Sequence, residues 1–159
     1  MKTTEKLWTY EEYLKLGEDK GYEIIEGEFL EMPVPSIIHQ RGVKKLLKKL
    51  DKFVEAKKVG EVFVSPVDVV LSEILILQPD IFFISEEKKG FKRDVEDKRK
   101  LYAQHDIKEY WLVFPEEKVI EVLSLQGKEY EVYSYAYEKG KVCSKLLEGF
   151  CVELEEVFS

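Results

Sequence analysis

The chain has 159 residues, 45% of them hydrophobic and 36% charged, enough for one domain with a sizeable core and short of what two domains normally need. That balance excludes an intrinsically disordered chain, and the longest apolar runs, Ile74-Leu75-Ile76-Leu77 and Ile81-Phe82-Phe83-Ile84, fall far below the ~18 to 20 residues that cross a bilayer. With 25 basic and 32 acidic side chains the net charge is -7, the wrong sign for coating nucleic acid, so any such contact must be local.

Met1-Lys2-Thr3-Thr4-Glu5-Lys6 leads into no leader-like apolar core, and a cytoplasmic location with no membrane partner is the expectation. One domain over residues 1–159 is expected as well. Cys143 and Cys151 are too few for a disulfide scaffold and lie in apolar surroundings, which predicts two buried free thiols. The absence of asparagine beside abundant Lys and Glu resembles thermophile composition.

In chain order, Thr9 with Glu12 three residues later is a capping-box pattern and predicts a short helix over 9–16. Residues 22–32 read as two strands around Glu26-Gly27, ended by Pro33 and Pro35, a β-hairpin. From Ser36 to Val59 the apolar positions Val43, Leu46, Leu47, Leu50, Phe53 and Val54 recur at steps of three and four, predicting an amphipathic helix ended by Gly60. Two apolar runs, 61–71 and 75–84, look like buried central strands. Residues 94–104 have helical character, and Glu109 to Phe114 is a further apolar strand stopped by Pro115. The last third alternates strand patterns at 119–125, 129–137 and 141–147, with turns at Gln126-Gly127-Lys128 and Glu138-Lys139-Gly140.

No glycine-rich phosphate loop, paired-cysteine zinc spacing or nucleophile elbow occurs, which leaves carboxylates and lysines to carry any chemistry. Gln78-Pro79-Asp80 places an acid at the start of an apolar strand, where its charge needs a partner such as a metal ion, or where it simply marks a turn. Asp94, Lys98 and Tyr102 are spaced by four and would share one helix face, a spacing that an intrahelical ion pair explains equally well. Asp68 offers either another ligand or a solvent-facing strand end. Between Ser36 and Val59 eight basic side chains stand against Asp51 and Glu55, a local balance of +6 that suits either a DNA backbone or solvent.

Taken in order, these pieces resemble the Uma family, bacterial proteins of largely unknown role in the restriction-endonuclease-like, PD-(D/E)XK superfamily. The resemblance runs through Tyr22-Glu23-Ile24-Ile25-Glu26-Gly27, His39, Ser65-Pro66-Val67-Asp68-Val69, Gln78-Pro79-Asp80-Ile81, Asp94 with Lys98 and Tyr102, Glu109-Tyr110-Trp111, and Leu147-Glu148-Gly149-Phe150. It implies an α/β (α+β) fold: a mixed β-sheet flanked by helices, with an N-terminal β-hairpin and C-terminal antiparallel strands. It also implies a metal-dependent DNA endonuclease in which Asp80 and Glu23 hold Mg²⁺ or Mn²⁺ and Lys98 stabilises charge on the scissile phosphate. His39, Arg41, Lys44, Lys45 and Lys48 are then candidates for holding DNA, and a two-fold dimer would suit a duplex.

The sequence departs from the family pattern at one place. Where the family carries a further strand with a Glu, Ser85-Glu86-Glu87-Lys88-Lys89-Gly90 runs straight into Phe91-Lys92-Arg93-Asp94. The expectation is an additional segment between Gly90 and Phe91 in the encoded protein, because losing a central strand would leave its neighbours' backbone groups unpaired. If that Glu is truly absent, a catalytically inactive nucleic-acid-binding or protein-interaction module on the same fold becomes the better reading.

Overall fold

The computed structural model describes residues 6–17, 21–88, 100–102 and 107–159. It is a mixed α/β structure, with predominantly antiparallel sheets and three α-helices among the described residues. The chain divides into two compact units, Met1–Val34 with Phe63–Asp106 and Pro35–Val62 with Ile107–Ser159.

In the first unit, helix α1 spans Tyr10–Leu14 and begins with the expected capping box: Thr9 Oγ1 accepts from the Glu12 N–H, and Glu12 Oε2 accepts from the Thr9 N–H at 3.1 Å. The predicted hairpin is present as β1 (Tyr22–Ile25) and β2 (Glu28–Glu31). Its turn residues Glu26 and Gly27 both take positive φ, 52° and 79°, the left-handed pair that a two-residue turn between twisted strands requires. Strand β1 also pairs with β5 (Leu75–Leu77), which pairs with β4 (Asp68–Ser72), and β4 runs parallel to β7 (Lys100–Tyr102). The sheet order is therefore β2-β1-β5-β4-β7. Ile24, Val70, Ile76 and Tyr13 bury themselves against Trp8, Tyr22 and Phe29, each apolar side chain removing from water an area worth ~1.5 to 3 kcal/mol.

The two long central strands expected over 61–71 and 75–84 are each broken in two. Residues 60–64 form β3 and 81–85 form β6, a separate two-stranded pair in which Phe63 and Phe82 stack at 5.3 Å. The breaks fall at Ser65-Pro66, a cis peptide, and at Gln78-Pro79-Asp80. Proline has no N–H to continue a ladder, so the apolar run cannot. Full burial is confined to Val69, Val70 and Ile76, fewer positions than the sequence pattern suggests. The helix predicted over 94–104 is also corrected: residues 100–102 are a strand, and the rest of that segment, Asp94 and Lys98 included, lies outside the described residues.

In the second unit, helix α2 spans Ile37–Lys57 with Ser36 as N-cap, its Oγ accepting from the His39 N–H at 3.1 Å. The helix ends one step earlier than Gly60 implies, because Lys58 itself takes the left-handed conformation (φ 53°) and Gly60 opens β3 instead. Leu46, Leu50 and Phe53 pack on a core of Ile120, Val122, Val142, Val152 and Leu154. An antiparallel meander of β8 (Glu109–Phe114), β9 (Val119–Gln126) and β10 (Glu129–Tyr137) supplies Ile120 and Val122, which alternate with outward residues as period-two patterning demands. Strands β11 (Lys141–Cys143) and β12 (Cys151–Glu153) form a small ladder followed by helix α3 (Leu154–Val157).

Cys143 and Cys151 stand directly opposite each other in that ladder and are joined by a disulfide. The expectation of two free thiols is thus overturned. It relied on their apolar surroundings, which do not reveal that the two residues face each other across the β11–β12 ladder.

Candidate active site

Three acids of the first unit lie where β1, β4 and the end of β5 meet. Glu23 projects from β1, and its Oε1 accepts the backbone N–H of Gln78 at 2.9 Å. Asp68 opens β4, and its Oδ1 accepts from the Tyr13 hydroxyl at 2.8 Å and from the Gln78 side-chain amide at 2.6 Å. Asp80 follows Pro79, exposed to solvent, with its carbonyl oxygen accepting the Ser65 N–H at 3.0 Å. Gln78 therefore holds two of the three carboxylates at once, one through its main chain and one through its side chain. The same amide also donates to Tyr13 Oη at 3.2 Å.

Electrostatics separate these acids. Burial pushes the Glu23 carboxyl above its ordinary range; the Gln78 N–H pulls it back, and the nearby Asp80 charge pushes it up again. A carboxylate raised by another carboxylate marks a pair that a cation would relieve. Tyr13 is also raised, by burial first and by its hydrogen bond to Asp68 second, so it remains a donor to Asp68 at any physiological pH. Asp68 is half-buried and held by two neutral donors, so it is not the solvent-facing strand end that was one of its two expected readings.

Among the described residues no group of three or more His, Cys, Asp or Glu side chains is arranged to hold a metal ion. The two acids expected to hold an ion, Glu23 and Asp80, carry oxygen donors of the kind that suits Mg²⁺ or Mn²⁺. The other candidates belong to the second unit, on the first three turns of α2: His39 is half-buried, while Arg41, Lys44 and Lys48 are exposed. Lys45 is engaged, donating to the carbonyl oxygen of Ser159 and to its hydroxyl.

Glu109, at the start of β8, went unassigned from sequence. Its Oε1 accepts from Trp111 Nε1 at 2.7 Å and from the Ser144 hydroxyl at 2.6 Å, and its Oε2 accepts the backbone N–H groups of Lys145 and Leu146 at 2.8 and 2.9 Å. Trp111 and Phe53 each meet the Phe150 ring, at 5.8 and 5.3 Å. The two distant motifs Glu109-Tyr110-Trp111 and Leu147-Glu148-Gly149-Phe150 are therefore one structural element, a strand acid that caps a loop. Their joint occurrence was the available signal.

Residues 10–96 and 88–155 match the model of the Uma2 family, described as "Putative restriction endonuclease". The chain belongs to the Uma2 family. Its fold is similar to a protein from Anabaena variabilis, described as a "putative nuclease belonging to DUF820", with a TM-score of 0.75 at 18% identity over 94% of this chain and 97% of that one. No curated protein matches the chain. The two matched stretches share residues 88–96, where the family's additional strand is expected. Among the described residues, no helix is long and apolar enough to cross a membrane.

Proposed function

We propose that this chain is a metal-dependent DNA endonuclease of the PD-(D/E)XK type, acting in the cytoplasm as a two-fold dimer. Membership of a family described as restriction endonucleases supports the nuclease class. The single observation that carries the metal-dependent reading is the hydrogen bond from the Gln78 N–H to Glu23, which ties this half-buried acid to the strand-end segment bearing Asp80.

Asp80 and Glu23 would hold the divalent ion. When bound, such an ion acidifies a water and draws charge from a phosphate oxygen. Asp80, exposed at the strand end, is the group that meets solvent and substrate first. Glu23 must be ionised to act, so its raised carboxyl makes activity climb with pH through that range. Lys98, by its place in the family pattern, supplies a cation to the phosphate in the transition state. Arg41, Lys44 and Lys48 are available to neutralise backbone phosphates, with His39 to orient one of them.

Two carboxylates alone bind Mg²⁺ weakly. The reading therefore includes an additional strand with a Glu between Gly90 and Phe91 in the encoded protein, and the two-part family match supports it. Intact-mass measurement tests this directly, because a mass of 18.7 kDa rules the extra segment out. The functional test is nicking of single-stranded, duplex and branched DNA with Mg²⁺ or Mn²⁺. Cleavage that Asp80→Ala and Lys98→Ala both remove is the expected result. Intact DNA under every condition would replace the enzyme with an inactive binding module on the same fold.

A further inference from the structure

The meander of the second unit has two unlike faces. Its inner face, Val113-Ile120-Ala136 and Trp111-Val122-Ser134 in successive cross-strand rows, lies against the core. The outer face carries the rows Phe114-Val119-Tyr137, Leu112-Glu121-Tyr135 and Tyr110-Leu123-Val132, continued by Tyr130 beside Leu125. Tyr133, at the bulge between Val132 and Ser134, is set apart from these rows and has the Lys145 ammonium 5.9 Å from its ring. Tyr110 and Tyr130 are each 44% exposed, Phe114 42%, Tyr133 51%, and Tyr135 and Tyr137 54%.

We infer that this outer face is where two copies of the chain associate. The inference deepens the dimer reading above by assigning its surface, and does not depend on nuclease activity. Five aromatic rings, each about half exposed and each able to bury ~150 to 250 Å² in full, leave roughly 500 Å² of aromatic surface along these rows. That sits at the upper end of the largest patch on a typical monomer, ~300 to 600 Å², and with the intervening Val119, Leu123 and Leu125 it approaches the ~800 Å² per partner of a standard interface. Tyrosine is the residue type that interfaces favour, since it covers apolar area while its hydroxyl stays compatible with water.

The occupant follows from charge and shape. Glu121 lies in the middle of the face and Glu138 follows its last row, which opposes a polyanion such as single-stranded nucleic acid stacking there. Edge-to-edge strand addition is opposed too, because the bulge interrupts the regular register of β10 and its edge bears Glu129 and Glu131. A second copy of the same face, brought over these rows by a two-fold axis, covers the rings without either a polyanion or an added edge strand.

Light scattering and sedimentation on the full chain should show a dimer at micromolar concentration. Tyr135→Lys combined with Val132→Arg, both on exposed positions, should weaken it at least ~100-fold while circular dichroism stays unchanged. Lys44→Glu with Lys48→Glu on α2 should leave it intact. A dimer that persists in the first variant, or is lost in the second alone, overturns the assigned face while leaving a dimer by another surface. A monomeric parent protein overturns both the face and the dimer reading, and fluorescence quenching of the parent by oligothymidylate that Tyr135→Lys removes would assign the face to nucleic acid instead.

Discussion

Glu109 and Glu23 are both half-buried acids on strands, yet their surroundings are opposite. Glu109 receives four donors, the Trp111 indole, the Ser144 hydroxyl and two main-chain N–H groups, and each of its oxygens is used twice. Glu23 accepts the main-chain N–H of Gln78 and lies near the charge of Asp80. The first environment fixes a carboxylate in place through four donors; the second sets a half-buried carboxylate near a second acid. A buried acid that is fully hydrogen-bonded serves the fold, and one set against another acid is poised for a cation.

The sharpest way to break this contrast is to exchange readouts between the two sites. Asp80→Ala should lower metal-dependent nicking at least ~100-fold while shifting stability by under ~0.5 kcal/mol, measured by plasmid relaxation and by urea titration. Glu109→Ala should do the reverse, costing about 3 kcal/mol because four donors lose their acceptor together. If Glu109→Ala unfolds no more readily than Asp80→Ala, the division into structural and functional acids fails.

Smaller effects sharpen the comparison within each unit. Reduction of Cys143–Cys151, which closes the strand pair just before and after the loop that Glu109 caps, should lower stability by about 2 kcal/mol, the amount expected for so short a loop. Urea titration with and without a reducing agent reads it. In the first unit, Tyr13→Phe removes one of the two donors to Asp68 and should cost ~1 kcal/mol, with a change in the Asp68 carboxyl resonance that identifies the site. The smallest effect concerns Glu23. Its folded carboxyl is raised, so its contribution is most favourable below the unfolded value near 4.5 and is lost as pH rises through the folded value. Glu23→Gln should flatten stability over that window and slightly raise the melting temperature at neutral pH. Millimolar Mg²⁺ should raise it in the parent protein and not in the variant.

Much of the fold was legible because its cues are local. Thr9 with Glu12, Glu26-Gly27 between two short apolar runs, and the three-and-four spacing of α2 each state their geometry within a few residues. The strand pattern of β9 and β10 is equally local. What escaped depends on distant partners. Cys143 and Cys151 meet because Ser144 to Phe150 fold back as a loop, and Glu109 finds three of its four donors 35 to 37 residues away. The Asp94, Lys98 and Tyr102 spacing also misled, since residues 100–102 owe their extended form to parallel pairing with β4, a tertiary effect invisible in periodicity. For the candidate site, Glu23 and Asp80 were legible as types and order, whereas the role of Gln78 was not. A glutamine announces nothing until its main chain and side chain are seen to serve different acids.

The turn at Gly27 has a consequence for the order in which the first unit assembles. The Gly27 carbonyl accepts the Trp8 N–H at 2.7 Å, its own N–H donates to Ile74 at 3.0 Å, and the Tyr10 N–H donates to Glu73 at 2.6 Å. Three segments far apart in the chain are thus laced at one knot, where a Cβ on Gly27 would come within 2.6 Å of the Leu7 side chain. A five-residue helix such as α1 is too short to persist alone, so it can form only once both hairpin turns are already in place to receive it. Helix α1 and its Tyr13 contact to Asp68 therefore depend on the sheet, and loosening of either turn would release the segment around Trp8 and Tyr10 with it.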